Sequence, residues 1–139
     1  MATGRIIKKI ISTSRKIANL KTTEARLLYT WLIPHLDVEG RFSAEPDIVK
    51  GYVVPRLQEF SLTKTEECLK DMAENGLIVL YSINGDKFLE LTGFSLHNKI
   101  RKDHEAASNI PPPTKDNIMT GELREYDGRT TGELPHNII

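Results

Sequence analysis

The fold turns on residues 76–91, GLIVLYSINGDKFLEL, and on the stretch directly before them, residues 63–75, TKTEECLKDMAEN. Asn84-Gly85 is the strongest short-range signal for a two-residue type I′ hairpin, because both turn residues must take positive φ. With this pair in the turn, Ser82 faces Lys87, Tyr81 faces Phe88 and Leu80 faces Leu89. Side chains alternate along a strand. Ile78, Leu80, Leu89 and Leu91 therefore share one face, expected to pack on helices. Val79, Tyr81, Phe88 and Glu90 share the other, expected to be half exposed. A Tyr81–Phe88 cross-strand pair, worth roughly 0.2–1 kcal/mol, supports this register.

The stretch feeding the hairpin predicts a helix over about Lys64–Asn75. Thr63-Lys64-Thr65-Glu66 reads as a capping box, with Thr63 as cap. Leu62, Thr65, Leu69, Met72 and Ala73 point to the core, with Cys68 on the flank. Asn75-Gly76 supplies a left-handed stop. Upstream, Thr22–Ile33 (TTEARLLYTWLI) predicts a helix capped by Thr22 or Thr23, with Ala25, Leu28, Leu32 and Leu36 on one face and Tyr29 and Trp31 read mainly as core. Pro34 ends or kinks it. A brief extended piece follows at Arg41-Phe42, then a helix over about Glu45–Val53 with Pro46 in its first turn. Ser43 is near enough to cap it, and Ile48, Val49, Tyr52 and Val53 form its apolar side. A short helix fits Ser14–Leu20, and Arg5–Ser12 reads as a strand or a basic arm. Residues 102–139, with Pro111-Pro112-Pro113 and few large apolar residues, predict a mostly disordered tail.

Helix, short strand, helix, helix, hairpin is the order of a winged helix-turn-helix: an α+β, mainly α fold of three helices and a β-hairpin wing. Residues 1–101 form that domain with its N-terminal arm. The brief strand at Arg41-Phe42 is expected to pair with the edge of the hairpin. An isolated hairpin is marginal in water, so it needs the helices beneath it.

Residues 12–56, STSRKIANLKTTEARLLYTWLIPHLDVEGRFSAEPDIVKGYVVPR, resemble the N-terminal region of phage and prophage replisome-organiser proteins, winged-helix proteins related to the primosomal protein DnaD. Residues 76–102, GLIVLYSINGDKFLELTGFSLHNKIRK, and 108–113, SNIPPP, share the likeness. The pieces LLYTWLIPHLDVEGRF and FLELTGFSLHNKI carry most of it. The resemblance implies a DNA-binding or assembly role in starting replication. Long members of that family carry a second helical domain that binds single-stranded DNA or the helicase loader, which this chain is expected to lack.

Formal net charge is zero, so no global attraction to a polyanion is expected. The distribution is uneven. Residues 1–20 hold Arg5, Lys8, Lys9, Arg15 and Lys16 and no acid, whereas residues 61–80 hold Lys64 and Lys70 against Glu66, Glu67, Asp71 and Glu74. The single cysteine, Cys68, excludes an intrachain disulfide and fits a reducing, cytoplasmic setting. No apolar run approaches the ~18 residues of a membrane span. His35, His97, His104 and His136 lack metal-ligand spacing. Neither a phosphate loop nor a triad pattern is present. The chain is expected to be no enzyme and to need no cofactor or metal.

The candidate DNA contacts are basic. Lys64 and Thr65 open the third helix, and Lys87 lies in the wing. Lys8, Lys9, Arg15 and Lys16 form the strongest positive cluster, and Lys99 and Arg101 follow the hairpin. The outward face of the third helix reads as Lys64, Glu67, Lys70, Asp71 and Glu74, a net negative surface that phosphates repel and that equally fits a solvated face. Two functions remain open. One is a non-catalytic DNA-binding protein of phage-type replication initiation, contacting duplex and also single-stranded DNA. The other is an interaction or oligomerisation adaptor, joining copies of itself or replication proteins. A transcriptional regulator would share the fold.

Overall fold

The computed structural model describes residues 3–94 and 106–120. Among these the fold is α+β. The helices are α1 (Arg15–Ala18), α2 (Thr23–Leu32), α3 (Pro46–Val53) and α4 (Leu62–Glu74). The strands are β1 (Arg41–Ser43), β2 (Ile78–Ile83), β3 (Asp86–Leu91) and β4 (Ile118–Thr120), in one antiparallel sheet of order β1-β3-β2-β4. Short 3-10 turns occupy Lys9–Thr13 and Ile33–His35.

The hairpin forms in the register that its turn dictates. Asn84 and Gly85 have φ of 54° and 89°, and Tyr81 pairs with Phe88, Leu80 with Leu89. β1 pairs with β3, Phe42 opposite Leu89. The helix feeds the hairpin without a loop because its end is a Schellman motif. Gly76, at φ 77°, donates its N–H to Ala73 O at 3.1 Å, and Leu77 donates to Met72 O at 2.9 Å. Thr92, at the far end of β3, then ties its hydroxyl to the carbonyls of Gly76 and Leu77 at 2.8 and 3.0 Å.

One core joins the elements. Leu28, Leu32, Val49, Val54, Phe60, Met72, Leu77, Ile78 and Leu89 are all fully buried in it. Thr22 caps α2, accepting from Ala25 N at 3.1 Å. Pro46 opens α3, and Lys50 holds the turn beyond it, donating Nζ to the carbonyls of Val54 and Leu57.

Several expectations need correction. The cap of α4 is Ser61, whose Oγ accepts from Lys64 N at 3.0 Å, so the helix starts earlier than a Thr63 box would start it. Burial of Phe60 just upstream holds Ser61 in that place. Leu62, one residue inside the helix, is exposed rather than in the core. Ser43 accepts from Glu45 N and leaves α3 without a side-chain cap. Ile48 and Tyr52 are exposed, as is Trp31, because the core needs only Val49 and Val53 from α3 and Ala25, Leu28, Tyr29 and Leu32 from α2.

The largest departure concerns the tail. Residues 106–120 lie along the sheet, and the part of the predicted tail from 121 on, with residues 102–105, lies outside the described residues. β4 pairs with β2 at Tyr81↔Ile118 and Leu80↔Thr120, with a register irregularity between them. Upstream of β4, Arg41 Nη1 donates to Ile110 O at 2.8 Å and Tyr81 Oη to Pro111 O at 2.7 Å. This segment crosses the face expected to be half exposed. Val79 and Tyr81 are fully buried there, outside the main core cluster.

Candidate nucleic-acid interface

α4 presents an outward stripe of Thr63, Glu67, Lys70 and Glu74, at helical spacing and all exposed. Two hollows flank it. On the α2 side an open groove of about 270 Å³ is lined by Lys21, Thr22, Lys64, Glu67, Cys68, Lys70, Asp71 and Glu74. On the sheet side a smaller one is lined by Ala44, Glu66, Leu69, Lys70, Leu80, Lys87 and Met119. Lys70 borders both.

Asp71 does not belong to the outward face. It is buried, and its carboxylate accepts from Lys21 N at 2.7 Å and from Asn75 Nδ2 at 2.9 Å. In the larger groove Lys21, Lys64 and Lys70 therefore face Glu67, Glu74 and the hydrogen-bonded Asp71. Glu67, Lys70 and Glu74 still make the exposed stripe itself net acidic.

Of the residues expected to meet DNA, Lys64 is half-buried at the start of α4. Thr65 is not a contact residue: it is fully buried and donates its hydroxyl to Ser61 O at 2.9 Å, as a threonine on the core side of a helix does. Lys87 is half-buried, and its backbone holds the root of α3: its N–H donates to Glu45 Oε2 at 3.0 Å and its carbonyl accepts from Ala44 N at 2.9 Å. The wing tip itself offers Asn84, Gly85 and Asp86, all exposed.

Lys8, Lys9 and Arg15 are exposed and Lys16 is half-buried. The arm carrying Lys8 and Lys9 is pinned, since Arg5 Nη2 donates to Leu36 O at 2.9 Å and its guanidinium sits 5.3 Å from the centre of the Phe94 ring. Lys8 borders an apolar hollow walled by Ile6, Ile10, Tyr29, Ile33 and Phe94, separate from the two hollows beside α4. His97, Lys99 and Arg101 lie outside the described residues.

The structure thus gathers Lys21, Lys64, Lys70 and Lys87 around α4. Lys21 was missed in the sequence because it precedes a helix cap, where nothing signals its approach to a helix fifty residues on. Lys70 was visible on the helix face, but only the packing of the sheet sets Lys87 beside it.

Burial pushes the Cys68 thiol above its ordinary value, against the lowering effect of Lys64. Among the described residues no group of three or more His, Cys, Asp or Glu side chains gathers as a metal site, and no helix is long and apolar enough to cross a membrane. No family model, curated protein or solved structure matches the chain.

Proposed function

We propose that this chain is a winged helix-turn-helix DNA-binding protein of the replisome-organiser type, acting without catalysis in phage-type replication initiation. The observation that carries the reading is the lysine ring around α4. In an α2–β1–α3–α4–hairpin order, α4 stands where a recognition helix stands, with the hairpin beside it as a wing. Lys64 and Lys21 flank its N-terminal half, and Lys70 with Lys87 flanks the side next to the wing. Glu67 and Glu74 on the stripe disfavour deep entry into the major groove, so binding is directed at the backbone with little sequence reading.

The test is a salt titration of affinity for random duplex and for single-stranded DNA. Backbone-directed binding gives a steep fall in affinity with salt, about one unit of slope per phosphate neutralised. Absence of duplex binding at about 50 mM salt sinks the reading.

A second reading, an association module, rests on the arm. Ile6, Ile7 and Ile10 are 58%, 43% and 47% exposed, an apolar surface on a short segment. Light scattering on the full chain and on an Ile6→Ser, Ile10→Ser variant separates the two. A multimer that reverts to monomer in the variant favours association, and a monomer throughout removes it.

A further inference from the structure

We infer that the outer face of the sheet is a binding groove for an extended, proline-containing peptide, with residues 106–120 as its resident occupant in cis. The chemistry of the two sides matches. Proline has no N–H, so Pro111-Pro112-Pro113 offers only carbonyls for hydrogen bonding, on a backbone already biased to extension. The sheet meets the start of this run with side-chain donors: the Arg41 guanidinium on the carbonyl of Ile110, just before the prolines, at 2.8 Å, and the Tyr81 hydroxyl on Pro111 O at 2.7 Å. Pro113 is buried. On the same face the Tyr81 and Phe88 rings pair with their centres 5.9 Å apart. Both donors are held in place by the body. Arg41 Nε is fixed by Glu90 at 2.8 Å, and Tyr81 lies in the middle of β2.

The flanks fix direction and register. Upstream, the Ser108 hydroxyl donates to Asp37 Oδ2. Downstream, Ser82 N donates to Asn117 O at 2.9 Å before β4 adds its three residues to the edge of β2. The groove belongs to the body and the occupant to a segment beyond it in sequence. A peptide of the same chemistry from another protein can therefore take the same contacts once the cis segment is lifted. The site lies on the sheet face away from the helices and stands whether or not α4 binds DNA.

The experiment uses the full chain and a labelled synthetic peptide of residues 106–120, read by fluorescence anisotropy. In the wild type the cis segment competes and the trans peptide binds weakly. A Pro111→Ala, Pro113→Ala variant loosens the cis segment by adding N–H groups and removing the bias to extension. The apparent affinity for the wild-type peptide then rises about tenfold, because a larger fraction of the groove is open. Adding Tyr81→Phe to that variant removes the gain, and a peptide with alanine at both positions binds more weakly. Should the double variant unfold, Ser108→Ala gives the same readout with a smaller rise. A folded, loosened variant that binds no peptide overturns the inference. So does a dimer of the intact chain that Tyr81→Phe abolishes, which would make a second copy the occupant.

Discussion

The Tyr81 hydroxyl is donated to the Pro111 carbonyl at 2.7 Å, joining the centre of the sheet to a segment thirty residues away. Burial holds this phenol well above its ordinary value of 10, and the charge of Glu90 pushes in the same direction. Burial also pushes Tyr29 up to about 12. A raised folded value means that the neutral phenol is the form the native state favours. The associated stability is complete below the ordinary value and drains away as pH climbs from there toward the folded values. Stability measured by urea unfolding is expected to be flat with respect to these groups at neutral pH and to fall above about pH 10. Tyr81→Phe should flatten part of that fall. A curve unchanged by the substitution would show that Tyr81 does not contribute to it.

Gly40 sits at φ +80°, and a Cβ built there would meet Phe94 Cγ at 2.6 Å and Cβ at 2.7 Å. Its carbonyl also accepts from Leu91 N at 2.8 Å, anchoring the end of β3. Gly40→Ala combines left-handed strain with overpacking and is expected to cost at least about 2 kcal/mol. Thermal denaturation checks it. Gly85, also at positive φ but open on all sides, should lose less when changed to alanine.

Asp71 ties the approach to α2 to α4 through Lys21 N, and Asn75 Nδ2 at the end of α4 holds its carboxylate. Removing its carboxylate in Asp71→Ala leaves the Lys21 amide without this acceptor and is expected to destabilise by about 1–3 kcal/mol. Asp71→Asn, which keeps one acceptor oxygen, should lose less. If the alanine variant unfolds at the wild-type denaturant concentration, water satisfies the amide equally well.

If DNA is bound through the lysines around α4, replacing Lys70 and Lys87 together by alanine lowers duplex affinity without altering fold stability. The salt slope falls by about 2. Lys8 borders a different hollow and Lys9 is its neighbour on the arm, so the same change there leaves the slope nearly intact. Equal losses from both pairs would point to diffuse attraction rather than an α4 site.

Local rules in the sequence determined the hairpin, its register and its junction with α4. Asn84, Gly85 and Gly76 take positive φ, and no distant contact is required to read them. Helical spacing likewise marked Ala25, Leu28 and Leu32, and the pairing of β1 with the hairpin edge followed from the element order. Only the tertiary structure decided which side of the sheet is covered and which cations meet. Residues 106–120 carry too little apolar surface to signal order by themselves. They are held by β4 pairing with β2 and by carbonyl groups that find Arg41 and Tyr81, a complementarity invisible in either segment alone. Asp71 read as an outward charge because helical spacing cannot show that a backbone N–H from another element, Lys21, needs its carboxylate. Thr65 is out of reach of a ligand because it is fully buried, with its hydroxyl satisfied by Ser61 O at the start of its own helix.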